Sequence, residues 1–178
     1  MGAGNGRDPE AGRLLALTTG LRETGWAVFH GPEVAASGVV GLKSRRKMEP
    51  SDRIAHQVDA LGAVALRWQA VCAVRIKADG MNWQVPGLEE LDKALRAWAG
   101  GLGIPLHDHS TREVRAAVAG RPNASRDAVC YAIMQRLGLI GQSRATAEWE
   151  AIAVGYYHQM ARHERRQPGS QGTRTYRD

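Results

Sequence analysis

Residues 14–29, LLALTTGLRETGWAVF, decide how the rest of the chain is read. An apolar run at 14–17 ends in Thr18-Thr19-Gly20, and a second apolar run at 26–29 begins just after Thr24-Gly25. Two apolar runs joined through a Gly-containing turn predict a β-hairpin. The first run shows no polar alternation, as expected of a strand covered on both faces. Its polar end, Thr18, stands where an open α/β sheet presents its chemistry.

Gly31-Pro32 then turns the chain into a third strand at 34–42, and connections this short imply an antiparallel meander. A basic stretch follows: Lys43, Arg45, Arg46 and Lys47. Pro50-Ser51-Asp52 predicts a helix start with Ser51 as its cap. Ile54, Val58, Leu61, Val64, Ala65 and Trp68 then recur at helical spacing. The apolar run at 71–76 is a fourth strand, parallel to the first because it is reached through a helix. A loop at 81–87 carries Trp83. A helix at 88–100 is stopped by Gly100-Gly101, and a short fifth strand lies at 104–107. Ser110-Thr111-Arg112-Glu113 is a capping-box pattern opening a helix to Ala119. Ser125 caps a further helix to Leu137, and the last helix runs from Thr146 to about Arg165. The expected fold is a five-stranded mixed sheet, three strands antiparallel and two parallel, with helices on both faces. One domain is expected at 13–165, between a disordered lead at 1–12 and a basic disordered tail at 166–178.

The 178 residues suit about one domain. No apolar run approaches the ~18 residues of a membrane span, and the first residues lack a charged segment followed by an apolar one. No membrane partner and a cytoplasmic location are therefore expected. Cys72 and Cys130 lie far apart in apolar stretches and read as reduced core residues, with no Cys/His cluster at metal-ligand spacing. The net charge is +6. Half of it falls in the last stretch, where Arg162, Arg165, Arg166, Arg174 and Arg177 face only Glu164 and Asp178. That distribution fits phosphate contact or a solvated tail equally well.

The element order, with three stretches of sequence, resembles the RuvC-type Holliday-junction resolvases of the RNase H-like superfamily. Residues 14–29 are similar to that family's first hairpin, SDRIAHQVDAL to its first helix, and REVRAAVAGRPNASRDAVCYAIMQRLGL with ATAEWEAIAVGYYH to its paired helices and acidic final helix. The resemblance spans residues 13–160 in order. It implies phosphodiester hydrolysis by two Mg²⁺ ions held by four carboxylates. One carboxylate ends the first strand, one ends the fourth, and two lie three residues apart on the last helix. Carried onto this chain, those positions are Thr18, Lys77, Ala147 and Glu150, with His158 matching a family histidine two turns further on. One carboxylate of four remains. Lys77 is then expected to stand in for metal charge, with Glu150 as its counter-ion. Asp79, Glu148 and Asp108 are the other carboxylates near enough in sequence to be weighed as replacements.

The resemblance also implies a DNA-binding surface. Arg115 and Arg126 fall on its basic positions, with Arg112 and Arg121 close by, and Asn123 and Ser125 can donate to phosphate. Trp83, near the family's aromatic wedge, can stack on an unpaired base or sit in the core. The implied partners are branched or distorted double-stranded DNA, recombination proteins, and a second copy of the chain docked through the helix after that loop. The charges on that helix argue against such a dimer, and its stripe of Leu91, Leu95 and Trp98 reads more readily as core. The expectation is a degenerate resolvase, binding DNA without metal-dependent cleavage and without a cofactor. The alternative is an active Mg²⁺-dependent junction endonuclease with a rebuilt site.

Overall fold

A computed structural model describes residues 12–41, 48–77 and 85–166. The lead, the basic stretch Lys43, Arg45, Arg46 and Lys47, the loop bearing Asp79 and Trp83, and the tail beyond residue 166 lie outside the described residues.

Five strands form one mixed sheet in the order β3-β2-β1-β4-β5. They are β1 (Arg13–Thr18), β2 (Glu23–His30), β3 (Glu33–Gly41), β4 (Ala70–Lys77) and β5 (Leu106–Ser110). β1 pairs antiparallel with β2 and parallel with β4, and β5 extends the parallel side. This is the expected mixed sheet. The absence of alternation in LLAL has the inferred cause: Leu14, Leu15, Ala16 and Leu17 are all buried, with helices on both faces.

Five helices complete the fold: α1 (Pro50–Trp68), α2 (Leu88–Leu102), α3 (Thr111–Ala119), α4 (Arg126–Arg136) and α5 (Thr146–Arg166). Strand alternation divides the core in two. Leu15, Leu17, Val28 and Ala73 pack against Ile54 and Leu61 of α1 and Leu91, Leu95 and Trp98 of α2. Leu14, Ala16, Ala27, Phe29, Cys72 and Val74 pack against α3, α4 and α5. The apolar stripe of α2 therefore lies in the core.

Helix ends follow local chemistry, with two differences from expectation. α1 starts two residues early, at Pro50, with Glu49 at the cap in place of Ser51 and no side-chain hydrogen bond there. Pro suits the first helical position because its missing N–H would have no partner anyway. α2 runs through Gly100-Gly101 and ends at Gly103, whose φ is 65°. The bonds that close it are Gly103 N–H to the Gly100 carbonyl and Ile104 N–H to the Ala99 carbonyl, both 3.1 Å. β5 in turn begins two residues later than expected. The capping box of α3 forms as read, with Ser110 and Glu113 each accepting from the other's backbone N–H.

α1 is tied to the first hairpin by a buried polar pair. The Thr24 hydroxyl donates to Gln57 Oε1 at 2.6 Å, and Gln57 Nε2 donates to the Leu21 carbonyl at 3.2 Å. Both side chains are almost wholly buried, so each depends on the other for its hydrogen bond.

Candidate functional site

β1 and β4 run parallel side by side, so their C-terminal ends share one edge of the sheet. Thr18 is paired there with Gly25 on one side and Ile76 on the other. α5 crosses directly above. A Cβ on Gly25 would come within 2.0 Å of the Ala147 carbonyl oxygen, so only a glycine lets the start of α5 press this close to β2. Thr18, Gly25 and Ala147 are thus gathered at one point. Glu150 lies three residues further along α5, on the same face.

Lys77 does not lie beside Thr18 on the α5 side of the sheet. Thr18 shares the α5 side of the sheet with Ala16, and its partner on β4 is Ile76, which packs into the core beneath α5. Alternation turns Lys77 to the opposite side. There Lys77 Nζ lies 3.9 Å from Asp108 Oδ2. Lys77 shares that face with Arg75, a nearly fully buried guanidinium that donates to Asp108 Oδ1 at 2.7 Å and also to Asp92 of α2. Arg96 closes the network on Asp92 and Asp108. Burial works to raise both Asp pKa values, but hydrogen bonds and charge from Arg75 and Arg96 outweigh it and hold them below the ordinary carboxylate range.

The expected Lys77–Glu150 pair is accordingly replaced. Both Glu150 oxygens accept from Arg126, from Nε at 2.8 Å and Nη2 at 2.6 Å, a two-pronged contact across α4 and α5. Those hydrogen bonds raise the Arg126 pKa above its usual value. Glu150 is only 13% exposed and Arg126 is 57% exposed, so the carboxylate faces inward and its arginine outward.

The replacement carboxylates are committed elsewhere. Glu148 accepts from the Ser37 hydroxyl at 2.6 Å and the Ala145 N–H at 3.1 Å, anchoring the start of α5 to β3. Asp108 belongs to the Arg75 network. His158 lies eight residues beyond Glu150, about 12 Å along the helix axis, and pairs with His109 instead. The Thr18 hydroxyl is buried with no hydrogen-bond partner among the described residues.

Mg²⁺ takes hard oxygen donors, and a two-metal site needs several carboxylates to balance its charge. Thr18, Ile76, Ala147 and an arginine-bound Glu150 do not fit that ion pair. Glu150 is the one carboxylate among these four residues, and both its oxygens are hydrogen-bonded to the Arg126 guanidinium.

The basic positions lie on two helices that pack together, α3 and α4, and on the turn between them. Arg112 and Arg115 lie on α3, Arg121 and Asn123 in the turn after it, and Ser125 and Arg126 at the start of α4. All but the half-buried Arg115 are exposed. The Ser125 hydroxyl accepts from the Ala128 N–H at 3.2 Å, which fixes the first turn of α4. Arg75 was legible in the sequence only as one charge inside the apolar run VCAVRIK. Ile76 was hidden because a one-residue shift of register exchanges the two faces of a strand.

A central β1 flanked by an antiparallel hairpin and two parallel strands, with α5 across its end, defines the RNase H-like fold. Within that class its arrangement is similar to that of RuvC structures. It superimposes on the Thermus thermophilus RuvC structure with a TM-score of 0.69 at 18% identity, covering 85% of this chain and 96% of that one. The T. thermophilus RuvC structure in complex with a Holliday junction substrate gives 0.68 at 17% identity, covering 84% and 96%. In sequence the chain is similar to proteins named crossover junction endodeoxyribonuclease RuvC. The relative from Cupriavidus metallidurans is 28% identical over 151 residues, 82% of each chain. That from Neisseria gonorrhoeae is 26% identical over 160 residues, 85% of this chain and 86% of the relative. No protein-family model matches the chain.

Proposed function

We propose that this chain is a RuvC-like protein that binds branched DNA without cutting it. The observation that carries this reading is the Arg126–Glu150 contact. The remaining carboxylate at the four metal positions has both oxygens hydrogen-bonded to a guanidinium, beside Thr18, Ile76 and Ala147. The junction-bound T. thermophilus relative and the exposed basic groups from Arg112 to Arg126 support DNA as the ligand. Arg112, Arg115, Arg121 and Arg126 would contact phosphates, with Asn123 and the first N–H groups of α4 as further donors. The basic stretch Lys43, Arg45, Arg46 and Lys47 would add phosphate contacts, and Trp83 would stack on an unpaired base. Recombination proteins acting on the same junctions are its natural partners, in the cytoplasm where such DNA is found. A second copy of the chain would have to dock without the α2 stripe, which the core has taken up.

Purified protein, a labelled four-way junction and Mg²⁺ or Mn²⁺ test the reading. A retarded complex with intact strands is expected. Arg112→Glu with Arg121→Glu should weaken the complex by at least about tenfold, the loss of two or more phosphate contacts. Cleavage that disappears in Glu150→Ala would establish the rebuilt nuclease instead. Failure to retard the junction at low salt would leave only the shared fold.

A further inference from the structure

Three side chains from three elements converge under the far half of α5, away from Thr18 and Glu150. Cys72 of β4, His107 of β5 and His158 of α5 each offer a donor atom, and those atoms all lie within 4.8 Å of one another. Cys72 and His158 are buried and His107 is exposed. Sequence spacing conceals this cluster, because its members are 35 or more positions apart and meet only through the β4–β5 pairing and the crossing of α5.

We propose that Cys72, His107 and His158 form a site for a thiophilic divalent transition-metal ion, zinc above all. One thiolate and two imidazoles are soft and borderline ligands that suit zinc and exclude Mg²⁺. His158 carries the independent sign of a ligand. Its Nδ1 lies 2.9 Å from His109 Nε2, while its Nε2 is buried with no hydrogen-bond partner among the described residues. A metal-bound imidazole commonly has this form, one nitrogen on the ion and the other N–H held by an orienting neighbour. In the metal-bound form Nδ1–H would donate to His109 Nε2, leaving the Nε2 lone pair of His158 for the ion.

The distances are compatible with coordination. Zinc at about 2.3 Å from sulfur and 2.0–2.1 Å from nitrogen keeps tetrahedral donors about 3.3–3.6 Å apart. Closing the cluster from its present spacing requires side-chain shifts of about an ångström. Burial acts in opposite ways on the two buried ligands, favouring the metal-binding form of His158 and opposing that of Cys72. Burial and the neighbouring His109, His107, Arg162 and Arg165 push His158 down to about 4, so it is neutral near pH 7. Burial raises the Cys72 thiol and Arg162 lowers it, so the thiol binds by losing its proton to solvent as the metal–sulfur bond forms. The thiolate cancels one of the two metal charges beside Arg162 and Arg165. Three protein ligands would leave a fourth position for water. The bound ion would tie β4, β5 and α5 together.

The test uses the full chain, stripped of metal by a chelator and titrated with Co²⁺ and then Zn²⁺. One Co²⁺ per chain should bind with a thiolate-to-cobalt charge-transfer band in the near ultraviolet, displaced by Zn²⁺, and either ion should raise the melting temperature. His107→Ala removes an exposed side chain. It should keep the metal-free melting temperature while weakening Zn²⁺ binding at least about tenfold. Cys72→Ser should abolish the band. Glu150→Gln should leave Zn²⁺ binding as in the parent, which separates this site from the one near Thr18. Absence of the band, its persistence in Cys72→Ser, or unchanged Zn²⁺ affinity in His107→Ala would each overturn the proposal.

Discussion

His158 ties stability to pH through a single imidazole. Burial first, then the charges of His109, His107, Arg162 and Arg165, depress its pKa to about 4 from an ordinary value near 6.5. The unfolded chain therefore takes up a proton between about pH 6.5 and 4 while the folded chain does not, so stability falls as pH falls through that window. With the metal-free protein the loss should be on the order of 3 kcal/mol, lowering the melting temperature by roughly 6–12 °C. His158→Gln should flatten the slope in thermal melts taken across pH 4–7. A second loss belongs below about pH 4, where Asp92 and Asp108 take up protons and give up Arg75 and Arg96. Residue identity was the least legible level of the sequence. Thr18 and Ala147 come together as expected, because the hairpin and the last helix were readable. Lys77 does not join them, since an apolar run such as VCAVRIK contains no marker of which residue faces α5. The partner of Glu150 was also unreadable, because Arg126 lies on another helix and meets it only in three dimensions.

The elements meet at close quarters where glycine allows it. Gly25 lets α5 press on β2, and Gly155 of α5 lies so near the sheet that a Cβ there would come within 2.3 Å of the Phe29 ring. Gly25→Ala should destabilise the chain by about 2–4 kcal/mol, because the clash is with backbone and cannot relax by a rotamer change. Gly100, inside α2 with nothing within 4 Å of an added Cβ, should behave in the opposite sense. Gly100→Ala should stabilise by about 0.5–1 kcal/mol through helix propensity. Chemical denaturation of the two variants checks both signs. Hydrophobic period and turn residues made nearly every strand and helix readable, with ends displaced by one to three residues. The displaced ends arose where tertiary packing prevailed over local signals. α2 continues through Gly100-Gly101 because Leu102 still reaches the core, and Gly103 then supplies the left-handed cap.

Over the whole molecule, charge should govern DNA affinity. A chain with net charge +6 that binds chiefly through phosphates should lose affinity linearly on logarithmic axes as salt rises. With about four phosphate contacts, raising salt from 50 to 200 mM should weaken junction binding about a hundredfold. Fluorescence anisotropy at several salt concentrations measures the slope, and a flat profile would mean that apolar contacts dominate. The overall topology was legible because short turns force antiparallel neighbours and a helical crossover forces a parallel one. That same topology imposes an order on biosynthesis. β1 sits at the middle of the sheet, yet it is the first strand to leave the ribosome. β2 and β3 follow at once and cover one of its edges. The other edge waits for β4, whose Ala70 pairs with Arg13. At about 5–20 residues per second, that interval lasts about 3–11 seconds. Throughout it the nascent chain displays an apolar, unpaired strand edge, the moment in its life when a holding chaperone would matter most.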